Sequence, residues 1–369
     1  MKYYIIAGEA SGDLHGSNLI KAIQQEDQNA DIRCWGGDLM QNAGGTLAKH
    51  YKEMAFMGFL EVVKNLNSIF KNISFCKDDI ASFEPDVVIF IDFSGFNLRI
   101  AKWAYEQNFT TNYYISPQVW ASRASRVQKI KKYINQMYVI LPFEKDFYAQ
   151  YNYDVSYVGH PLLDAIAVAE KIDFDSFVAK HKLSPNKKII ALLPGSRKQE
   201  VEKMLGIMLA TADNYPKYQF VIAGAPSLDD TFYQKFTSTK DVHFVSNQTY
   251  PLLQNAHAAL VTSGTATLET ALFKVPQVVC YKGNWISYQI AKRIITLDYI
   301  SLVNLIMDKE VVKELIQNNL NSKNLNHELN KILEDAHRQV VLKQYEILEQ
   351  KLGGVGASKK AAQLIVKNL

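Results

Sequence analysis

Two turns in the second half of the chain carry side chains suited to holding a charged ligand. In Lys187 to Leu205, the run Ile189-Ile190-Ala191-Leu192-Leu193 reads as a strand buried on both faces, and it breaks at Pro194-Gly195-Ser196. Helical spacing follows at Val201, Met204, Leu205 and Met208, with Glu200 and Glu202 in the first turns, where carboxylates suit the positive end of the helix dipole. Strand, turn and helix start together offer backbone N–H groups to an anion, and Arg197 adds a bidentate clamp for phosphate. An ordinary βα unit with a solvated arginine has the same local pattern. No Gly-Lys-Ser/Thr follows, so this is not a Walker loop.

The second turn repeats the pattern. Ala258 to Thr262 feeds Ser263-Gly264-Thr265-Ala266-Thr267-Leu268-Glu269, where N–H groups and hydroxyls suit a phosphate. Glu269 stands where a carboxylate accepts both hydroxyls of a ribose; plain Ser/Thr capping of a helix is the alternative. Two such turns in one domain favour a nucleoside diphosphate. In the first half, Pro85 to Ile91 reads as a buried parallel strand ending at Asp92, which is placed either for chemistry or for capping the next turn. His160, beside Pro161, suits a structural role as well as a catalytic one.

These residues need a scaffold that alternates strand and helix. Residues 2–8 read as a first strand entering Gly8-Glu9-Ala10-Ser11-Gly12-Asp13, with a helix from Leu14 to Gln25. The glycine spacing is not GxGxxG, so a dinucleotide fingerprint is lacking. Further strands are expected at 31–35, 112–115, 136–141 and 156–158, then at 189–193, 218–224, 242–245, 258–262 and 276–281. Leu325 to Leu352 reads as one or two helices, and Ser358 caps a short terminal helix after the break at Gly353-Gly354-Val355-Gly356-Ala357. Polar residues gather between Asp164 and Lys188 and mark a boundary between domains.

Phe59 to Ile73 carries apolar residues at helical spacing, preceded by Phe56 and Met57. It is either a helix packed on the sheet or a surface for acyl chains. The basic run Arg123, Arg126, Lys129, Lys131, Lys132 is either a solvated face or a patch for phosphate or anionic headgroups.

A length of 369 residues suits two domains of roughly 150–200 residues each. With 48% hydrophobic and 21% charged residues the chain is globular, and a net charge of +4 makes no case for nucleic acid. Cys34, Cys76 and Cys280 form no CxxC pair, which argues against disulfides and a zinc site. No secretory leader is read, and no window has the ~18 apolar residues of a membrane span.

The stretches GEASGD (8–13), MGFLEV (57–62), IDFSGFN (91–97), YISPQVWASR (114–123), LPFEKDFY (141–148), VGHPL (158–162), LLPGSRKQEVE (192–202), SGTATLE (263–269) and DYISLVNL (298–305), in this order, resemble the lipid-A-disaccharide synthase family. The resemblance runs along nearly the whole chain. It implies an α/β fold of GT-B type, with two Rossmann-like domains whose mainly parallel sheets face a central cleft. Residues 1–165 would form the acceptor domain and 166–339 the UDP-sugar donor domain, with a C-terminal helix at about 340–369 crossing back onto the first.

The implied activity is that of a hexosyltransferase of lipopolysaccharide biosynthesis in Gram-negative bacteria. UDP-2,3-diacylglucosamine would be joined to the 6-hydroxyl of 2,3-diacylglucosamine 1-phosphate (lipid X) with inversion, giving the β-1′,6-linked lipid A disaccharide 1-phosphate and UDP. Asp92 then matches the family's essential acid and is the candidate base. Arg197 matches the arginine that holds the donor phosphates, while Gly195, Ser196, Glu200, Ser263, Gly264, Thr265, Ala266 and Glu269 match the nucleotide pocket. Asn304 matches an asparagine required for activity, and Glu9 is placed to support the acceptor or the base. Met57, Phe59, Val62, Val63 and Leu66 become the acceptor or membrane surface, with the protein peripheral on the cytoplasmic face of the inner membrane.

No metal or other cofactor and no nucleic acid is implied, and a homodimer is compatible with the family. Gly95 stands where relatives often have a second Asp, and Ser122 where many have Trp. On the same scaffold, a UDP-N-acetylglucosamine 2-epimerase-like isomerase and a non-catalytic UDP-sugar-binding protein are the alternatives.

Overall fold

The computed structural model describes residues 1–54, 66–122, 124–225, 228–238, 242–283 and 298–369. The chain divides into two compact units: Met1–Ala167 with Leu352–Leu369, and Val168–Lys351.

The first unit is built on a seven-stranded sheet in the order β3-β2-β1-β4-β5-β6-β7, and its pairings are all parallel. Its strands are β1 (Lys2–Ala7), β2 (Asp31–Gly36), β3 (Thr46–His50), β4 (Val87–Ile91), β5 (Thr110–Tyr114), β6 (Gln136–Val139) and β7 (Ser156–Tyr157). Tyr3 to Ala7 and Val87 to Ile91 are wholly buried, because helices cover both faces of a parallel sheet. The strand order reverses between β1 and β4, where Ala7 pairs with Ile91. A crevice for ligands opens beyond the carboxyl ends of strands at such a reversal.

The second unit repeats the design with six parallel strands in the order β10-β9-β8-β11-β12-β13. These are β8 (Lys188–Leu193), β9 (Tyr218–Gly224), β10 (His243–Ser246), β11 (Ala256–Thr262), β12 (Gln277–Tyr281) and β13 (Lys313–Ile316). The reversal lies between β8 and β11, where Leu193 pairs with Val261. Each sheet thus sets two strand ends side by side, and the turns singled out by their chemistry follow those ends.

The structure departs from the sequence reading in several places. The first helix runs Ala10–Glu26, so most of the segment expected as a turn is already helical. Gly12 belongs to that helix, where an added Cβ would lie 3.0 Å from the Cβ of Ala7; the glycine lets helix and strand approach closely. Strands β3 and β13 and the short helix Asp38–Asn42 were not foreseen. Ser358 does not cap the terminal helix Ala357–Lys367. The capping carboxylate is Asp164, which accepts from Gly356 N at 2.5 Å and Ser358 N at 2.8 Å. The helices between 325 and 352 are two, Ser322–Leu333 and Asp335–Lys351.

Candidate functional site

Gly8, Glu9, Ser11, Gly12, Ile91, Asp92 and Phe93 line a recess at the reversal of the first sheet. Asp92 and Phe93 both adopt left-handed backbone conformations, with φ of 43° and 47°, between the end of β4 and the helix Ser94–Glu106. The Phe93 ring lies over Gly8, 2.3 Å from where a Cβ would be, so any side chain at position 8 would displace it. Behind the turn, the Asn97 amide nitrogen donates to the carbonyls of Asp92 at 2.8 Å, Ile91 at 3.2 Å and Ile6 at 3.5 Å. The Tyr113 hydroxyl also donates to the Asp92 carbonyl.

The Asp92 side chain reaches solvent, yet its carboxyl group sits in a concave wall of protein. Crowding by that wall is the main cause that pushes it up to about 6, with repulsion from Glu9 adding to it and an N–H bond from Phe93 opposing it. Glu9 is exposed and precedes the first helix without capping it through its side chain. Asp13 has a structural task. Buried, it accepts from the backbone N–H groups of Gly37 at 2.8 Å, Met40 at 3.0 Å and Leu39 at 3.2 Å, and so fixes the start of the helix Asp38–Asn42.

In the second unit, Gly195 turns the chain out of β8 with φ of 113°, a left-handed value that glycine adopts without cost. Arg197 is the N-cap residue of the helix Lys198–Ala212; its carbonyl accepts from Glu200 N and Val201 N. Its guanidinium is exposed and donates to Glu200 at 3.2 Å. Exposed pairs of this kind contribute at most about 1 kcal/mol, so an incoming phosphate can take the arginine over.

Beside this turn, Gly264 has φ of 153° and open space where a Cβ would stand. The Ser263 hydroxyl donates to Ile300 O at 2.9 Å, and Thr265 is exposed at the start of the helix Thr265–Leu272. Ala266 is half-buried and its carbonyl accepts from the Thr270 hydroxyl. Glu269 accepts from the Tyr250 hydroxyl at 3.3 Å, and burial raises its carboxyl above the ordinary range.

Asn304 is fully buried, and all its hydrogen-bonding capacity is used inside the protein. Its amide donates to Val312 O at 2.8 Å and Glu314 at 2.9 Å, and its oxygen accepts from Val311 N at 2.7 Å and Val312 N at 3.0 Å. Glu314 in turn accepts from Ile300 N, Ser301 N and the Ser301 hydroxyl. The pair therefore anchors the segment that receives the Ser263 hydroxyl. Glu314, Tyr250, Asn97 and Tyr113 were missed as site residues. Asn97 alone had a signal, since it closes the stretch IDFSGFN.

The remaining candidates are less informative. Met57, Phe59, Val62 and Val63 lie outside the described residues, as does Arg123; Leu66 opens the helix Leu66–Phe83. In that helix Ile73 is buried whereas Phe70 is 60% exposed. Lys129, Lys131 and Lys132 form an exposed face of the helix Val127–Tyr133. His160 is buried and accepts from Leu162 N at 3.2 Å, which is a structural role. Among the described residues no cluster of three metal-ligating side chains occurs, and no helix is long and apolar enough to cross a membrane.

A family model described as lipid-A-disaccharide synthetase matches residues 3–367. The lipid-A-disaccharide synthase of Syntrophus aciditrophicus is 38% identical, covering 97% of this chain and 95% of that one. Its counterpart in Geobacter sulfurreducens is 35% identical over 99% and 96% of the two chains. Among solved structures, a UDP-GlcNAc 2-epimerase from Neisseria meningitidis, bound to UDP-GlcNAc, is similar with a TM-score of 0.66 at 16% identity, covering 100% of this chain and 99% of that one. The glycotransferase of kitacinnamycin gives 0.65 at 12% identity, covering 100% and 99%. At such identities these two show the fold alone, two mainly parallel α/β units of GT-B type.

Proposed function

Because the chain belongs to the lipid-A-disaccharide synthase family, we propose that Asp92 is the general base of its glycosyl transfer and that Arg197 holds the donor diphosphate. The reaction is that of the family: UDP-2,3-diacylglucosamine gives its sugar to the 6-hydroxyl of 2,3-diacylglucosamine 1-phosphate. The hydroxyl oxygen bonds to the anomeric carbon as the bond to UDP breaks, the configuration inverts, and the hydroxyl proton passes to the base.

The observation that carries the assignment is the place of Asp92, on the left-handed turn at the carboxyl end of β4, at the sheet reversal and open to solvent. A carboxyl near 6 is ionised at neutral pH and still basic enough to accept a proton as the hydroxyl becomes nucleophilic. Negative charge develops on the departing diphosphate. The N–H groups after Gly195 and Gly264, with the Arg197 guanidinium, are suited to stabilise it. We read Glu269 as the acceptor of the ribose hydroxyls, oriented by Tyr250. The first unit then holds the acceptor and the second the donor.

Asn304 belongs to this reading as a positioning residue, since its capacity is spent on the backbone at 311–312 and on Glu314. Phe70, exposed beside Lys71, is read as part of a surface that rests on anionic lipid. Co-sedimentation with anionic vesicles checks this last point; protein left wholly in the supernatant would refute it.

The deciding assay supplies both diacylated substrates in detergent and follows UDP and disaccharide by mass spectrometry. Wild type forms disaccharide only with both present. Asp92→Asn is expected to lower kcat by about 10²-fold or more while UDP binding stays unchanged. Near-normal turnover by that variant would remove Asp92 from the role.

A further inference from the structure

We infer that Asn97 and Tyr113 are positioning residues for this reaction: together they hold the Asp92 carbonyl, and with it the left-handed turn that presents the Asp92 carboxylate. The inference rests on the reading of Asp92 as the base.

Two successive non-glycine residues with positive φ are costly, because each brings its Cβ against the following carbonyl oxygen. Asp92 and Phe93 nevertheless adopt φ of 43° and 47° between strand and helix. Something must over-determine that geometry, and the bonds to the Asp92 carbonyl do so. The Asn97 nitrogen reaches it at 2.8 Å while also donating to Ile91 O and Ile6 O, the carbonyls near the ends of the two strands that flank the sheet reversal. Three acceptors around one nitrogen fix the orientation of the amide, because a flipped oxygen would face three oxygens. Tyr113, from the neighbouring strand β5, donates to the same Asp92 carbonyl.

Neither Asn97 nor Tyr113 exposes any surface, so neither can touch substrate. What they can do is set the direction in which the backbone leaves β4. A rotation of the Asp92 peptide would swing its carboxylate away from the recess, and misplacement by about 1 Å can cost 10²-fold in rate. Helix geometry supports the same point from the other side. Phe96 N and Asn97 N both donate to Phe93 O, so the turn and the first helical bonds close as one unit.

Tyr113→Phe tests this, since it removes one hydroxyl and keeps the ring in the core. The expected result is a fall in kcat of roughly tenfold to a hundredfold, with KM for both substrates and UDP affinity within about twofold of wild type. A purely structural role would lower Tm and leave kcat unchanged well below the melting range, and that result overturns the inference. Asn97→Asp, which keeps the size and loses the donors, should give the same kcat-only loss. If it does not fold, Tyr113→Phe decides alone. Asp92→Asn is assayed in parallel. An active Asp92→Asn refutes the base assignment, whereas an inactive Asp92→Asn beside a fully active Tyr113→Phe refutes only the positioning role.

Discussion

At the scale of the residue, the proposed chemistry turns on how one carboxyl group, that of Asp92, is made more basic than an ordinary aspartate. Asp92 is lifted to about 6 first by the protein crowding it and next by the charge of Glu9. Loss of activity on acidification should therefore follow protonation of Asp92, with kcat/KM falling below about pH 6. Glu9→Gln removes one upward push, so the acid limb of that profile should move to lower pH; an unmoved limb would show that Glu9 does not act on the base.

The same shift has a stability consequence of the opposite sign to a salt-bridged carboxylate. Here the folded value lies above the ordinary 3.8, so ionisation costs stability above about 6 and the cost vanishes below the ordinary value. Asp92→Asn should accordingly raise Tm at pH 8 and leave it unchanged at pH 3.5. With Asp92 as the proposed base, activity and stability pull against each other at this position.

At the scale of the element, the candidate site of each unit is a pair of turns after adjacent strands, held from below. In the second unit the holding is done by Asn304 and Glu314, which collect the backbone of residues 300–301 and 311–312. Asn304→Ala strands several buried groups at once and should destabilise the protein by roughly 2–4 kcal/mol. Thermal unfolding measures this, and an unchanged Tm would contradict the network.

The strand–turn–helix units were legible because a buried apolar run gives way to helical spacing at small residues, as at Leu193 to Val201. Strands β3 and β13 were not. Thr46–His50 is never fully buried along its length and Lys313–Ile316 has one buried residue, so neither shows an apolar run. Asn304 looks like a ligand residue in a sequence, for an amide with hydrogen-bonding capacity gives no hint that backbone groups elsewhere in the chain will consume it. Tyr113 and Glu314 are the converse. Nothing at their own positions points to the turn or the segment they hold.

At the scale of the whole molecule, the terminal helix is the element the first unit cannot complete from its own N-terminal stretch. It packs against Ala10–Glu26, the helix that carries the first turn of the site, and its start is held by Asp164. Asp164→Ala removes that cap at a cost of about 1–2 kcal/mol. The expected outcome is faster proteolysis at Gly353 to Gly356 with the core of the second unit still resistant, read by mass spectrometry of the fragments. Uniform sensitivity of the whole chain would argue against it.

Val168–Lys351 is thus an insertion within the first unit, and this bears on how the protein is born. The ribosome delivers the complete six-stranded sheet before the last helix of the seven-stranded one exists. The first unit therefore keeps part of the surface of its opening helix uncovered until residues 352–369, which lie beyond the whole second unit in the chain, are available to pack on it. Completion of the first unit thus depends on a segment separated from the rest of it by all of Val168–Lys351.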